Sequence, residues 1–129
     1  MTEQEFKSRT KKLALAIIRL VEELPRTRTA DVLGKQLLRS GTSVGANYRA
    51  ACRGLSTADV LAKLGDAEEE ADESLYWMEL LADSGTVSVS RVAPEMKEMD
   101  EILRMTVASI KTLRQRLRQS KIQNPQSKI

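Results

Sequence analysis

The sequence RVAPEMKEMDEILRMTVASIKTLRQRL, residues 91–117, contains the most regular hydrophobic pattern in the chain. Its inward-facing positions recur at alternating intervals of four and three residues: Val92, Met96, Met99, Leu103, Thr106, Ile110, Leu113 and Leu117. An average spacing of about 3.5 residues is typical of helices that pack together in a left-handed bundle. The pattern therefore predicts one long helix within a helical bundle.

Three further amphipathic segments precede this helix, each with a start and a stop signal. Hydroxyl side chains that precede an apolar stripe are expected to cap the four helices: Thr2, Thr27 or Thr29, Ser56, and Ser88 or Ser90. The predicted stops are Pro25, Gly54 and Gly85, and Gly54 is expected to adopt a left-handed backbone conformation. Pro94 is expected in the first turn of the fourth helix, where proline is tolerated.

The chain of 129 residues is predicted to be all-α, an antiparallel up-down-up-down four-helix bundle. The connections between the helices are short, which makes sequential helices antiparallel neighbours. Aromatic residues are only 3% of the chain, too few for a typical β-sandwich or barrel. Residues 1–120 are assigned to the bundle and residues 121–129 to a disordered C-terminal tail.

Composition excludes several classes of site. The chain has no histidine and one cysteine, Cys52, so a histidine triad, a disulfide framework and a multi-cysteine zinc site are ruled out. Glu70 and Glu73 could in principle form an acid–base or metal site, but they are more typical of a solvated acidic face. We therefore expect no enzyme activity and no cofactor. The sequence has no apolar run of membrane-spanning length and no signal-peptide core, which predicts a cytoplasmic protein.

Charge is strongly segregated along the chain. Residues 1–58 carry 11 basic and 5 acidic side chains, residues 59–101 carry 3 and 13, and residues 102–129 carry 7 and none. The opposite charges could balance one another within one bundle, or they could meet between identical subunits. A third possibility is a basic surface for RNA or DNA. Its candidate residues are Lys7, Lys11, Lys12, Arg114, Arg116, Arg118 and Lys121.

The segment SGTSVGAN, residues 40–47, is unusual for the middle of a helix. Two helical glycines cost about 1 kcal/mol each relative to alanine, so either another helix approaches this face closely or the helix is kinked or broken there. We also expect Arg39 or Asn47 to contact Glu70 or Glu73.

Two separated motifs resemble those of the proteins encoded by intervening sequences in bacterial 23S ribosomal RNA genes. The first is GKQLLRSGTSVGAN, residues 34–47, and the second runs through residues 63–81, with Lys63-Leu64, Glu70-Ala71, Glu73 and YWMELL at residues 76–81. That family is similar in turn to the accessory variability protein of diversity-generating retroelements. The motif positions are expected to be packing or interface residues: Arg39, Ser40, Ser43, Asn47, Glu70, Glu73 and Trp77.

The resemblance implies a four-helix bundle assembled as a homopentamer. It also implies that the protein is a non-enzymatic scaffold that associates with RNA or DNA. In the alternative that it suggests, the protein is an accessory module that binds a protein partner such as a reverse transcriptase.

Overall fold

Four α-helices joined by short loops form the described part of the chain, residues 1–123 of a computed structural model. The helices are α1 (Glu3–Glu22), α2 (Arg28–Cys52), α3 (Thr57–Asp83) and α4 (Val89–Gln123). None of these 123 residues belongs to a β-strand. The predicted all-α four-helix bundle is therefore confirmed.

Hydroxyl side chains start all four helices. Thr2 forms the predicted capping box, because its Oγ1 accepts a hydrogen bond from the Glu5 amide at 3.1 Å while its own amide donates to the Glu5 carboxylate at 3.2 Å. Thr27, rather than Thr29, caps α2. Ser56 caps α3, and Ser88 caps α4 by accepting a hydrogen bond from the Arg91 amide at 3.2 Å. Each cap satisfies one of the amide groups that a helix N-terminus leaves unpaired.

Gly54 does not have the predicted left-handed conformation; the one positive φ in the described residues, +74°, is at Gly85. Gly54 instead meets a spatial requirement. A Cβ there would lie 2.7 Å from Val60 Cγ2 and 3.1 Å from the Val60 amide nitrogen. The absence of a side chain lets the chain turn tightly from α2 into α3.

The two ends of α4 also differ from expectation. Pro94 is the sixth residue of the helix rather than part of its first turn. Proline has no amide hydrogen, so Pro94 cannot donate a hydrogen bond to the carbonyl of Ser90. Ser90 is exposed, so water can supply that hydrogen bond. At the other end α4 continues to Gln123, so residues 121–123 of the predicted tail are helical, and residues 124–129 lie outside the described residues.

The helices are neighbours in the cyclic order α1, α2, α3, α4. Paired contacts along each seam run in opposite directions in the two helices, so each helix is antiparallel to its neighbours. The most extensive pairing joins α2 to α3, and the least extensive joins α1 to α4. Within residues 1–123, no helix is both long enough and apolar enough to cross a membrane.

The glycines of α2 confirm the predicted close approach of another helix. A Cβ at Gly41 would lie 2.6 Å from Ile17 Cδ1, and a Cβ at Gly45 would lie 3.0 Å from Thr10 Oγ1. The alternative, a break at these glycines, is wrong, because α2 is a single helix from Arg28 to Cys52. The two glycines therefore bring α1 close to α2.

The core runs along the axis of the bundle. Leu20, Leu37 and Met78 are fully buried, one each from α1, α2 and α3. On α4 the fully buried positions include Val92, Met99 and Ile102, and Glu95 is only 8% exposed. Four positions of the predicted stripe are half-buried rather than buried: Met96, Leu103, Leu113 and Leu117.

Candidate interaction surfaces

An ion-pair network joins α2 to α3 on the outside of the bundle. Arg39 Nη1 donates to Glu70 Oε1 at 3.3 Å and to Oε2 at 3.0 Å, and its Nη2 donates to Glu73 Oε1. Trp77 Nε1 also donates to Glu73 Oε1, at 3.3 Å. Of the two candidates in α2, Arg39 is the one that contacts the glutamates.

The network gives Glu70 and Glu73 a structural role. A single guanidinium pairs the charges of both carboxylates, so a metal ion at this place would have to displace Arg39. Across residues 1–123, no group of three or more Cys, Asp or Glu side chains is arranged to hold a metal ion. The arrangement positions α2 against α3.

A pair of buried serines lies beneath this network. Ser40 Oγ and Ser74 Oγ are 2.8 Å apart, and Ser74 Oγ is also 2.8 Å from the carbonyl oxygen of Glu70. Both side chains are fully buried, so each hydroxyl depends on these partners. Sequence reasoning missed Ser74, although a buried Ser40 requires a polar partner on a neighbouring helix.

Of the other motif positions, Ser43 and Trp77 contact members of this network. Ser43 Oγ donates to the Arg39 carbonyl at 2.7 Å, and Asn47 is half-buried. Trp77 is half-buried against the core, and its ring meets the ring of Tyr76 edge-on with centroids 5.4 Å apart. Tyr76 is 54% exposed, so an aromatic ring lies on the protein surface beside Trp77.

The candidate basic residues fall into two groups rather than one patch. Lys7 forms an ion pair with Glu3 at 3.3 Å, and Lys11 and Lys12 are exposed on α1. Arg9 Nη2 contacts Glu101 at 2.8 Å, which places this part of α1 beside the middle of α4. Arg114 is thirteen positions further along α4 than Glu101, or about 20 Å. Lys11 and Lys12 are therefore well separated from Arg114, Arg116 and Arg118.

The C-terminal part of α4 extends beyond the start of α1. Met1 and Thr2 lie beside Met105 and Ser109, so α1 ends at that level while α4 continues. We call residues 114–122 the α4 overhang. Its basic side chains are all exposed: Arg114, Arg116, Arg118 and Lys121. Among the described residues none of the four forms an ion pair.

The opposite charge lies on the outer side of α3. Glu69, Asp72, Glu79 and Asp83 recur on one helical face around Tyr76, and we call this set the α3 acidic face. All four carboxylates are exposed. No cation of residues 1–123 pairs with them.

Two arginine clusters, which sequence reasoning did not identify, link α1 to α4. Arg9 Nε donates to Glu98 at 2.9 Å, and Arg91 Nε and Nη2 donate to Glu23 at 3.0 and 2.9 Å. The hydrogen bonds from Arg9 hold the pKa of Glu98 below its ordinary value of 4.5, and those from Arg91 lower the pKa of Glu23 in the same way. Arg91 also pairs with the nearly buried Glu95 at 3.0 Å.

A groove at the open end of the bundle is lined by parts of α2, α3 and α4, including Cys52, Leu64 and Leu113. Burial raises the pKa of the Cys52 thiol. It raises the pKa of the neighbouring Tyr48 hydroxyl as well. Both groups are therefore protonated and uncharged at neutral pH.

Comparison with known proteins gives a family match. The family model for the 23S rRNA-intervening sequence protein matches residues 2–108. A similar solved structure is the 1.70 Å crystal structure of a protein of unknown function, from the S23 ribosomal protein family of Bacteroides thetaiotaomicron VPI-5482. It is 34% identical, superposes with a TM-score of 0.80, and its match covers 86% of this chain and 99% of that chain. No functionally curated protein matches the sequence significantly.

Proposed function

This chain belongs to the 23S rRNA-intervening sequence protein family, and we propose that it is a non-enzymatic homo-oligomeric scaffold that associates with RNA or DNA. Five subunits is the number that the resemblance to pentameric relatives implies. The proposed location is the cytoplasm.

The observation that carries the proposal is the presence of two exposed, oppositely charged surfaces without partners in the described chain. The α3 acidic face and the α4 overhang each present a row of side chains that form no ion pair there. Complementary potentials on two surfaces of one molecule favour association of identical copies. An enzyme would need reactive groups in distinct environments, whereas Glu70 and Glu73 share one guanidinium.

The basic residues support the nucleic-acid part of the proposal. Lys11 and Lys12 on α1 and Arg116 of the α4 overhang are exposed. Exposed cations of this kind bind phosphate groups of RNA or DNA without reading the base sequence. Binding through them would be strongly salt-dependent because it releases counterions.

The second candidate function is an accessory module for a protein partner, for which we retain a reverse transcriptase as the example. The exposed Tyr76 beside the half-buried Trp77 favours this alternative, since aromatic residues are enriched at protein interfaces. In that case native lysate should yield a stable complex with a second protein.

Size-exclusion chromatography with light scattering, with absorbance recorded at 260 and 280 nm, tests the proposal. We expect a mass of about five times 14.4 kDa, with excess absorbance at 260 nm that a nuclease removes. An oligomer without bound nucleic acid, and without affinity for added RNA or DNA, would support the scaffold proposal and contradict the nucleic-acid role. A monomer at all concentrations would contradict the scaffold.

A further inference from the structure

We propose that the basic face of the α4 overhang of one copy packs along the α3 acidic face of a second copy. This inference rests on the proposed homo-oligomer, and it identifies the two surfaces that form the contact.

The basic side of the contact is a continuous helical face. Arg114, Arg118 and Lys121 follow intervals of four and three residues, which place all three side chains on one side of α4. Arg116 lies on the other side of α4 and lines the end groove. Leu117, half-buried, adjoins the basic face and adds apolar surface.

The charges on the acidic side have the same spacing as those on the basic side. Asp72 and Glu79 are seven residues apart, as are Arg114 and Lys121, and either pair spans about 10 Å along its helix. Tyr76 lies between the two carboxylates and is 54% exposed. Two helices that pack side by side could therefore pair their charges around a central apolar contact between Tyr76 and Leu117.

The two faces of one chain are too far apart to meet each other. Leu64 of α3 packs with Ile110 of α4, and the two helices are antiparallel. From that level Tyr76 is twelve residues along α3 in one direction, and Arg118 is eight residues along α4 in the opposite direction. The separation is about 30 Å along the bundle axis. A second copy of the chain can supply the partner that the first copy cannot.

The contact joins two different surfaces, so it is heterologous. Each copy would offer its α4 overhang to one neighbour and its α3 acidic face to the other. Such a contact produces a closed ring when its rotation closes and an open filament when it does not.

Charge reversal tests the contact. One variant carries Arg114→Glu, Arg118→Glu and Lys121→Glu, and a second carries Glu69→Lys, Asp72→Lys and Glu79→Lys. We expect each to be a monomer by light scattering at about 0.15 M salt, where exposed charges still interact over about 8 Å. The chain with all six substitutions should regain the wild-type mass, because its faces are again complementary. Loss of helix at the end of α4 would not be repaired by substitutions on α3.

An equimolar mixture of the two triple variants gives an independent readout. The two chains should alternate, so a closed ring must contain an even number of subunits even if the wild-type ring is odd. The control for the first variant is Arg26→Glu, Arg28→Glu and Arg49→Glu, which reverses three positive charges at exposed positions elsewhere. It should keep the wild-type mass.

The outcomes separate the two proposals. A wild-type monomer would overturn both the scaffold and this contact. A wild-type oligomer that persists in both triple variants, or that the six-substitution chain fails to regain, would overturn the contact alone.

Discussion

Gly41 is the residue at which the packing of α2 is most sensitive to volume. Gly41→Ala would place a methyl group 2.6 Å from Cδ1 and 3.1 Å from Cγ2 of Ile17, so this fully buried side chain would have to shift within the core. Overpacking of a core costs about 1–3 kcal/mol, and the gain in helix propensity offsets about 1 kcal/mol of that. We expect a net loss of about 1 kcal/mol, measured by urea unfolding.

Gly65→Ala is the matched control for Gly41→Ala. Gly65 is also within a helix, but no side chain or neighbouring helix lies within 4 Å of its added Cβ. Helix propensity alone should therefore stabilise this variant by about 0.5–1 kcal/mol. Equal effects of the two substitutions would contradict the close approach of α1 at Gly41.

Glu73→Gln tests the outer network. The substitution removes the charge that pairs with Arg39 but keeps an oxygen that can accept the hydrogen bond from Trp77. Because Arg39 is about half exposed, we expect the free energy of unfolding to fall by no more than about 1 kcal/mol, with a lower melting temperature. Glu22→Gln on the exposed side of α1 is the control, and an unchanged melting temperature in Glu73→Gln would refute a stabilising role for the network.

At the scale of the elements, the join between α1 and α4 depends on paired charges. Hydrogen bonds from Arg9 and Arg91 lower the pKa of Glu98 and of Glu23 below 4.5. These ion pairs therefore stabilise the folded protein fully above that pH. This stabilisation is lost as the pH falls through the lowered values. The protein should therefore lose stability in acid below about pH 4.5.

Glu98→Gln isolates one of these carboxylates. At pH 7 we expect a loss of about 1 kcal/mol, because the ionised partner of Arg9 is gone. Near pH 2 the difference in unfolding free energy should be smaller than at pH 7, because below 4.5 the unfolded wild type takes up a proton at Glu98 that the folded form resists. Urea unfolding at the two pH values measures the difference, and a gap of equal size at both would contradict the assignment. Glu22→Gln, on the exposed side of α1, is the control.

The helices themselves were predictable because their signals are local. Caps such as Thr2 and Ser56 and the stop at Gly85 depend on residues within one turn. The seam of α4 was predicted one residue off at Glu95 and Ile102, because its buried positions alternate at three and then four residues rather than four and then three. The charge of Glu95 favoured Met96 as the inward position, and the ion pair with Arg91 lets Glu95 be buried instead. The pairing of Arg9 with Glu98 was not predictable, since 89 residues separate them and only the register of α1 against α4 brings them together.

At the scale of the whole molecule, assembly and nucleic-acid binding should be separable. Substituting Lys11→Gln, Lys12→Gln and Arg116→Gln removes exposed cations that lie outside the proposed subunit contact. We expect the oligomer to remain intact while the affinity for single-stranded RNA falls. The dependence of log K on log salt should also become shallower, by about 0.7 for each phosphate that the protein no longer neutralises.

Fluorescence anisotropy with a labelled single-stranded RNA, between about 50 and 200 mM salt, measures this prediction. The control is Arg26→Gln, Arg28→Gln and Arg49→Gln, which removes the same amount of charge elsewhere. If the variant at Lys11, Lys12 and Arg116 binds RNA as well as the control variant at Arg26, Arg28 and Arg49, the first three residues do not bind the RNA.

The candidate surfaces were only partly evident from the sequence. The segregation of charge and the contact of Arg39 with the glutamates of α3 follow from residue order and helix periodicity. The division of the basic residues into two groups does not, because it depends on how far α4 extends beyond α1. Ser74 was missed because a serine in an alanine-rich stripe gives no signal of its own.

The close fit of Ile17 against Gly41 also has an evolutionary consequence. A side chain at position 41 becomes tolerable when position 17 gives up the δ-methyl group, as Ile17→Val would do. As homologous sequences diverge, the two positions are therefore expected to change as a pair, with the gain of a carbon at one compensated by the loss of a carbon at the other. The correlated substitutions would lie 24 positions apart in sequence and would report the α1–α2 register without any structure.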